Sequence, residues 1–165
     1  MASLDATDLA ILGVLTDDGR ISISELAERV HISRSAAYER VQRLRVSGVI
    51  EGFTARLDPA RLGLGLAAFV TITTEQAAWD QVSGELRTMP EVEYAAATAG
   101  SFDAIVLVRV GTLEELKDIV LEHIHTIAGV RSTTTIVVLD EIVKKISVAP
   151  RPAHTPQERP RGADW

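Results

Sequence analysis

The sequence predicts an α+β protein: a winged-type helix-turn-helix domain, then a ferredoxin-like βαββαβ domain. Two short amphipathic segments flank a tight turn between Ser22 and Val46, the spacing of a helix-turn-helix. The second half then runs strand–helix–strand twice, in halves of similar length. With 46% hydrophobic and 24% charged residues over 165 positions, the chain can bury one medium core or two small ones.

Helix one opens at Asp5, a good N-cap, and Asp8 adds negative charge at the positive end of the helix dipole. Leu9, Leu12 and Leu15 recur at helical spacing, and Asp17-Asp18-Gly19 ends the element. Ser22 and Glu25 are spaced as a capping box for helix two, which is expected to bury Leu26, Ala27 and Val30. Ser33 caps helix three, with Ala37, Val41 and Leu44 as its apolar face, and Gly48 stops it. Val49 to Leu57 reads as an extended segment, Asp58-Pro59 as a turn and Gly63-Leu64-Gly65 as a hinge.

Leu66 to Thr73 reads as a strand, followed by a helix with Trp79, Val82 and Leu86 inward that ends before Met89-Pro90. Val92 to Ala99 and Ala104 to Val110 are strands around the turn Gly100-Ser101-Phe102-Asp103. Thr112 and Glu115 form a second capping box, opening a helix with Leu113, Leu116, Val120, Ile124 and Ile127 inward. Gly129 ends it, and Val130 to Val143 contains the last strand. The expected domains are therefore 1–49 (helix-turn-helix), 50–65 (extended linker strand and hinge) and 66–148 (ferredoxin-like), with 149–165 a disordered tail holding Pro150, Pro152, Pro156 and Pro160.

In a split βαββαβ domain both helices cover one face of the sheet. Ile105-Val106-Leu107-Val108 and Ile136-Val137-Val138-Leu139 are apolar at consecutive positions, so both faces of those strands call for burial. A second copy of the chain is the expected cover, which makes a homodimer the default.

Several function classes drop out. Without cysteines there are no disulfides, thiolate metal sites or cysteine nucleophiles. Met1-Ala2-Ser3-Leu4-Asp5 lacks the basic-then-apolar pattern of a signal peptide, and no apolar run approaches the roughly 18 residues of a membrane span. A cytoplasmic protein with no membrane partner is expected. The four histidines, His31, His123, His125 and His154, form no metal constellation, and no nucleophilic triad or phosphate-binding glycine loop is present, so neither catalysis, cofactor nor metal is expected.

Net charge is −6, which argues against a nucleic-acid binder that uses its whole surface. Locally the balance reverses: between His31 and Val46 stand Arg34, Arg40, Arg43 and Arg45 against Glu39 alone. With the apolar face of helix three inward, a rotation of about 100° per residue points Ser35, Ala36, Glu39, Gln42 and Arg43 outward, with Tyr38 and Arg40 on the flanks. Arg43 suits guanine O6 and N7, Gln42 adenine, and Glu39 the cytosine amino group. Ser33 and Arg34, at the helix N-terminus, suit phosphate, although Ser33 also caps. Tyr38 reads equally as a phosphate contact or as packing, while the position of Arg40 favours an ion pair within the module. Double-stranded DNA is the expected partner.

The chain resembles the leucine-responsive regulatory protein (Lrp/AsnC) family of transcription regulators. The resemblance rests on Leu4-Asp5, Asp8 and Ile11-Leu12; on Ser33, Arg40-Val41, Leu44, Gly48-Val49-Ile50 and Gly52-Phe53; and on Leu57-Asp58-Pro59 with Leu62-Gly63. The second half adds Gly100-Ser101-Phe102-Asp103, Gly129-Val130 and Ser132-Thr133-Thr134-Thr135. Two positions depart from the family: Phe102 where Tyr is common, and Ala128 where Pro is common. The family implies DNA binding by the first domain and assembly with effector binding by the second, in dimers that often associate into octamers, with amino acids as common effectors. Gly100, Ser101, Phe102 and Asp103 with Ser132, Thr133, Thr134 and Thr135 are the effector candidates. Asp103 offers charge to an ammonium, Gly100 allows close backbone approach, and the hydroxyls offer donors to a carboxylate. The same residues also read as an ordinary turn and an ordinary strand. Two rivals remain: a tetrapyrrole enzyme resembling the siroheme decarboxylases, and a metabolite-binding module with a vestigial DNA domain.

Overall fold

The computed structural model describes residues 4–75, 78–143 and 148. The tail expected at 149–165 lies outside the described residues. The chain divides into two compact units between Ala55 and Arg56.

The first unit holds α1 (Ala6–Asp17), α2 (Ile23–Arg29) and α3 (Arg34–Val46). Each start is capped as expected. Asp5, Ser22 and Ser33 accept from the backbone N–H groups of Asp8, Glu25 and Ala36 respectively. At α1 the cap is reciprocal, because Asp8 also accepts from the Asp5 N–H at 3.2 Å. At α2 it is not: the Glu25 carboxylate pairs instead with Arg29, one turn on, at 2.8 Å.

Ile11, Leu26, Val41 and Leu44 form the core of this unit, with Leu12, Leu15, Val30 and Ile50 packed on it. Here α1 departs from expectation. Leu9, Leu12 and Leu15 are only half-buried, whereas Ile11 is fully enclosed. Steps of three drift around a helix of 3.6 residues per turn, whereas Asp8, Ile11, Leu12 and Leu15 stay on one face. His31, between α2 and α3, adopts a left-handed backbone with φ of 57°.

Residues 51–58 carry no helix or strand, so the linker strand expected there is absent from this chain. A strand needs a hydrogen-bonded neighbour, and among the described residues none pairs with this stretch. The Phe53 ring lies close against Gly19, where an added Cβ would stand 3.1 Å from it. Asp58 then nucleates a short 3-10 turn, Ala60–Leu62, by accepting from the N–H of Ala60, and Gly63 closes it at φ 79°.

The second unit contains β1 (Leu66–Thr74), α4 (Trp79–Leu86), β2 (Val92–Ala97), β3 (Ala104–Val110), α5 (Leu113–Asp118) and β4 (Val130–Val137). The sheet is antiparallel in the order β2-β3-β1-β4, the arrangement of a ferredoxin-like domain. After α5 the helix continues through a π-helical turn, Ile119–His123, in which the Ile124 N–H is shared between the carbonyls of Ile119 and Val120. A 3-10 turn, Ile124–Thr126, ends it.

Leu116, Ile119, Val120 and Ile124 point into the core, but Leu113, expected there, is 68% exposed. It is the first residue of the helix, beside the Thr112 cap, where the face toward the sheet has not yet begun. Glu115 closes that cap from one residue further out than expected, accepting from the Gly111 N–H at 2.8 Å.

Ala68, Val70, Ile72, Ala104, Val106, Val108 and Val110 pack under the helices. The opposite face carries Phe69 level with Leu107 and Ile136, Tyr94 level with Leu107, and Thr71 level with Ile105 and Thr134. Among the described residues, Tyr94 and Ile136 on this face stay half-exposed. The apolar run at 136–139 outlasts the strand: β4 ends at Val137, and Leu139 is 96% exposed. At the rim, a bulge between Val92 and Tyr94 directs Glu93 onto Arg109, whose Nε donates to it at 2.7 Å while Nη2 donates to Glu141.

Candidate nucleic-acid interface and effector region

The recognition helix is built on three inward residues, Ala37, Val41 and Leu44, all buried. Their burial fixes its rotation. Ser33, Arg34, Ser35, Tyr38, Glu39 and Arg43 are exposed, and Ala36 and Gln42 are half-buried at the edge of the same surface. At the N-terminus the Ser33 hydroxyl accepts from the Ala36 N–H at 3.2 Å and lies 3.1 Å from the Ser35 hydroxyl. The first-turn N–H groups that remain without helical acceptors favour an anion there.

The arginines are not equivalent. Arg40 Nη1 donates to Asp5 Oδ2 at 2.6 Å and Asp8 Oδ1 at 2.8 Å, an ion pair within the module. The Arg40 contact holds the Asp5 carboxyl below the usual aspartate range, and Asp5 in turn raises Arg40. Arg43 also turns back to α1. Its Nη2 donates to Asp8 Oδ1 at 2.6 Å and to Oδ2 at 2.7 Å, although its side chain stays 53% exposed. The outward rotation read from the helix period fixes the direction of Cβ only, and a side chain this long can fold back toward a neighbouring helix. Arg34 and Arg45 have no ion pair among the described residues.

Asp8, 1% exposed, is the residue beneath this surface whose burial the sequence reading missed. It accepts from Arg40, from Arg43 and from the Asp5 N–H, so its buried charge is fully satisfied. Only its place in the cap was legible, because Asp5 and Asp8 stand three apart as in a capping box; its contacts with two arginines on another helix left no mark in the sequence.

In the second unit, Ile72 of β1 is level with Ala104 on one side and Thr133 on the other. The Gly100–Asp103 turn and Ser132 therefore share one end of the sheet, two strands or about 10 Å apart. The four β4 candidates do not act as one set. Ser132 and Thr134, level with Thr73 and Thr71, lie on the open face, while Thr133 and Thr135, level with Ile72 and Val70, lie on the helix side.

Asp103 is partly committed: its Oδ2 accepts from the Thr74 N–H at 2.7 Å and from the Thr74 hydroxyl at 3.2 Å, at the irregularity in β1. Among the described residues Oδ1 has no partner. The turn is braced by the Thr98 hydroxyl, which donates to the Phe102 carbonyl at 2.7 Å. Ser101 is exposed and Phe102 half-buried. A Cβ added at Gly100 would meet nothing within 4 Å. Among the described residues no group of three or more histidines and carboxylates could hold a metal ion, and no helix is long and apolar enough to cross a membrane.

Comparison with known proteins matches residues 4–45 to the AsnC-type helix-turn-helix domain and 67–148 to the Lrp/AsnC ligand binding domain. A helix-turn-helix transcriptional regulator of Pyrococcus abyssi, itself uncharacterised, is 40% identical over 132 residues, covering 80% of this chain and 84% of that protein. The leucine-responsive regulatory protein of Salmonella typhimurium is 35% identical over 142 residues, 84% of this chain and 87% of its own length. Among solved structures, a Neisseria meningitidis transcriptional regulator in complex with L-methionine superposes with a TM-score of 0.83 at 31% identity, covering 88% of this chain and 96% of that one. These relatives are regulators, and none of them supports the tetrapyrrole-enzyme reading. With both domain models in order and relatives this similar over most of its length, the chain belongs to the Lrp/AsnC family of transcriptional regulators.

Proposed function

We infer that the chain works as a homodimer in the cytoplasm, reads double-stranded DNA with α3 and changes its assembly or DNA affinity on binding a free amino acid. The observation that carries the DNA reading is the one-sided α3, apolar on Ala37, Val41 and Leu44 and polar across Ser33, Arg34, Ser35, Tyr38, Glu39, Gln42 and Arg43, with the small Ala36 among them. Two copies related by a two-fold axis would present paired helices to successive turns of the major groove, about 34 Å apart. The half-exposed apolar face of the sheet suits a second copy, and an octamer would be a further association of such dimers. Functionally, 1–49 is the DNA-binding part, 50–65 the connection and 66–148 the assembly and effector part.

The amino-acid effector is supported by the L-methionine complex of the Neisseria relative. Within this chain, Gly100 stands in open space without a left-handed backbone, so no neighbour in its own fold calls for a glycine. Close approach by a ligand gives it a reason. The Asp103 Oδ1 is the acceptor for the ammonium, and Ser101 and Ser132 are hydroxyls near the same sheet end; Phe102 supplies an apolar wall.

Fluorescence anisotropy against DNA upstream of the chain's own gene, with and without amino acids, tests the reading. Binding that survives scrambled competitor and shifts with an amino acid is expected, with the shift lost in Gly100→Val. Competitor-sensitive binding unaffected by every amino acid would overturn it.

A further inference from the structure

We propose that Glu39 is the specificity-determining residue of α3, a carboxylate left free to accept from a cytosine amino group because Asp8 draws away Arg43, its partner one turn on. The proposal rests on the DNA-binding function given above and names the residue that sets its base preference.

Glu39 is the single acid of α3, and it is exposed. On a helix its neighbours are the residues three and four away, here Ser35, Ala36, Gln42 and Arg43, so it stands at the centre of the outward surface. From sequence alone Glu39 and Arg43 form an i,i+4 pair in the favourable order, acid first, and would cancel each other. The structure separates them. Arg43 Nη2 donates to both Asp8 oxygens, at 2.6 and 2.7 Å. Glu39 has no ion pair among the described residues. The Asp8 side chain is 2% exposed, so solvent screens its attraction for a cation less than that of an exposed carboxylate.

A free carboxylate at the centre of a surface that meets DNA faces the phosphate charge. Arg40 and Arg43 are committed to Asp5 and Asp8, which leaves Arg34 and Arg45 as the α3 arginines to offset it. Such a group weakens binding wherever it meets no donor, and that penalty is what discriminates between sites. In the major groove cytosine shows an amino donor and no acceptor. Adenine sets an N7 lone pair beside its amino group, while guanine and thymine present acceptors. Cytosine is the base that suits an unpaired carboxylate.

The test starts from duplexes enriched out of a random library by the wild-type protein and by Glu39→Ala, followed by titration of single-base variants. With the wild-type protein, one base pair in each half-site is expected to prefer cytosine by about tenfold or more. Glu39→Ala should flatten that preference to about twofold or less, keep the other positions as they were, and bind scrambled duplex more tightly. Glu39→Gln, with a donor beside its acceptor, should admit adenine at the same position. The role of Asp8 is read at that base pair as a ratio between duplexes, which a change in overall affinity does not move. Asp8→Asn, its fold checked by thermal melting, releases Arg43 to Glu39 and should lower the cytosine preference. Adding Arg43→Ala to it should restore the preference, and Arg43→Ala alone should keep it.

A cytosine preference that survives Glu39→Ala, or an enriched motif in which no position responds to Glu39, overturns the proposal. So does a folded Asp8→Asn protein with undiminished preference. A preference lost in Asp8→Asn and not restored by Arg43→Ala would make Asp8 merely structural, and overturns it equally. A library from which the wild-type protein enriches no duplex would instead overturn the DNA reading, and this proposal with it.

Discussion

Asp5 holds Asp8 with one carboxylate oxygen and Arg40 with the other, at 2.8 and 2.6 Å. Because these bonds need the ionised form, its folded pKa lies below the unfolded one. The stabilisation is therefore complete above the unfolded value and is lost as pH falls through the folded value. The melting temperature, followed from pH 7 down to pH 2.5, should drop below about pH 4, and Asp5→Asn should flatten the part of that drop due to Asp5. His31 makes a second residue-scale case. At φ 57° a β-branched side chain is strained and glycine is not, so stability should rank His31→Gly at or above wild type. His31→Val should fall below it by about 1–2 kcal/mol. Thermal unfolding of the three proteins checks the order, and His31→Val as stable as wild type would refute it.

Glycines separate the elements that need them from those that do not. Gly129, between the 3-10 turn and β4, has φ 94°, and a Cβ there would stand 2.6 Å from the Ala78 Cβ. Gly129→Ala should destabilise by about 2 kcal/mol or more, since backbone strain and a clash add. Gly84, within α4, has an ordinary helical backbone and nothing within 4 Å of an added Cβ. Gly84→Ala should stabilise by about 0.5–1 kcal/mol, and urea denaturation of the pair reads both signs in one experiment. The caps were legible because each needs only a side chain three residues from an N–H, as at Ser22, Ser33 and Thr112. The π-helical turn at Ile119–His123 was not, because local periodicity carries no mark for one extra residue in the hydrogen-bond ring.

At the scale of the molecule, the open sheet face joins Phe69, Tyr94, Ile105, Leu107 and Ile136 across four strands. Burying that face against a second copy is the proposed basis of the dimer. Leu107→Glu should yield a monomer by sedimentation velocity, because a carboxylate at its centre would lose hydration without gaining a partner. A dimer unchanged by this substitution would place the self-contact elsewhere. Arg109, flanked by Glu93 and Glu141, keeps the rim of the same face charged.

The sequence by itself determined the two-domain α+β plan, because hydrophobic period, capping residues and turn glycines are local and read in order along the chain. It also placed Ala37, Val41 and Leu44 inward and Arg40 in an ion pair of its own module. Tertiary structure alone decided that Asp8 is buried and holds Arg43, since that pair spans 35 residues and two helices. Tertiary structure also separated Ser132 and Thr134 from Thr133 and Thr135 and committed one Asp103 oxygen to Thr74, because strand register and long-range hydrogen bonds join distant segments whose spacing in sequence carries no trace of the contact.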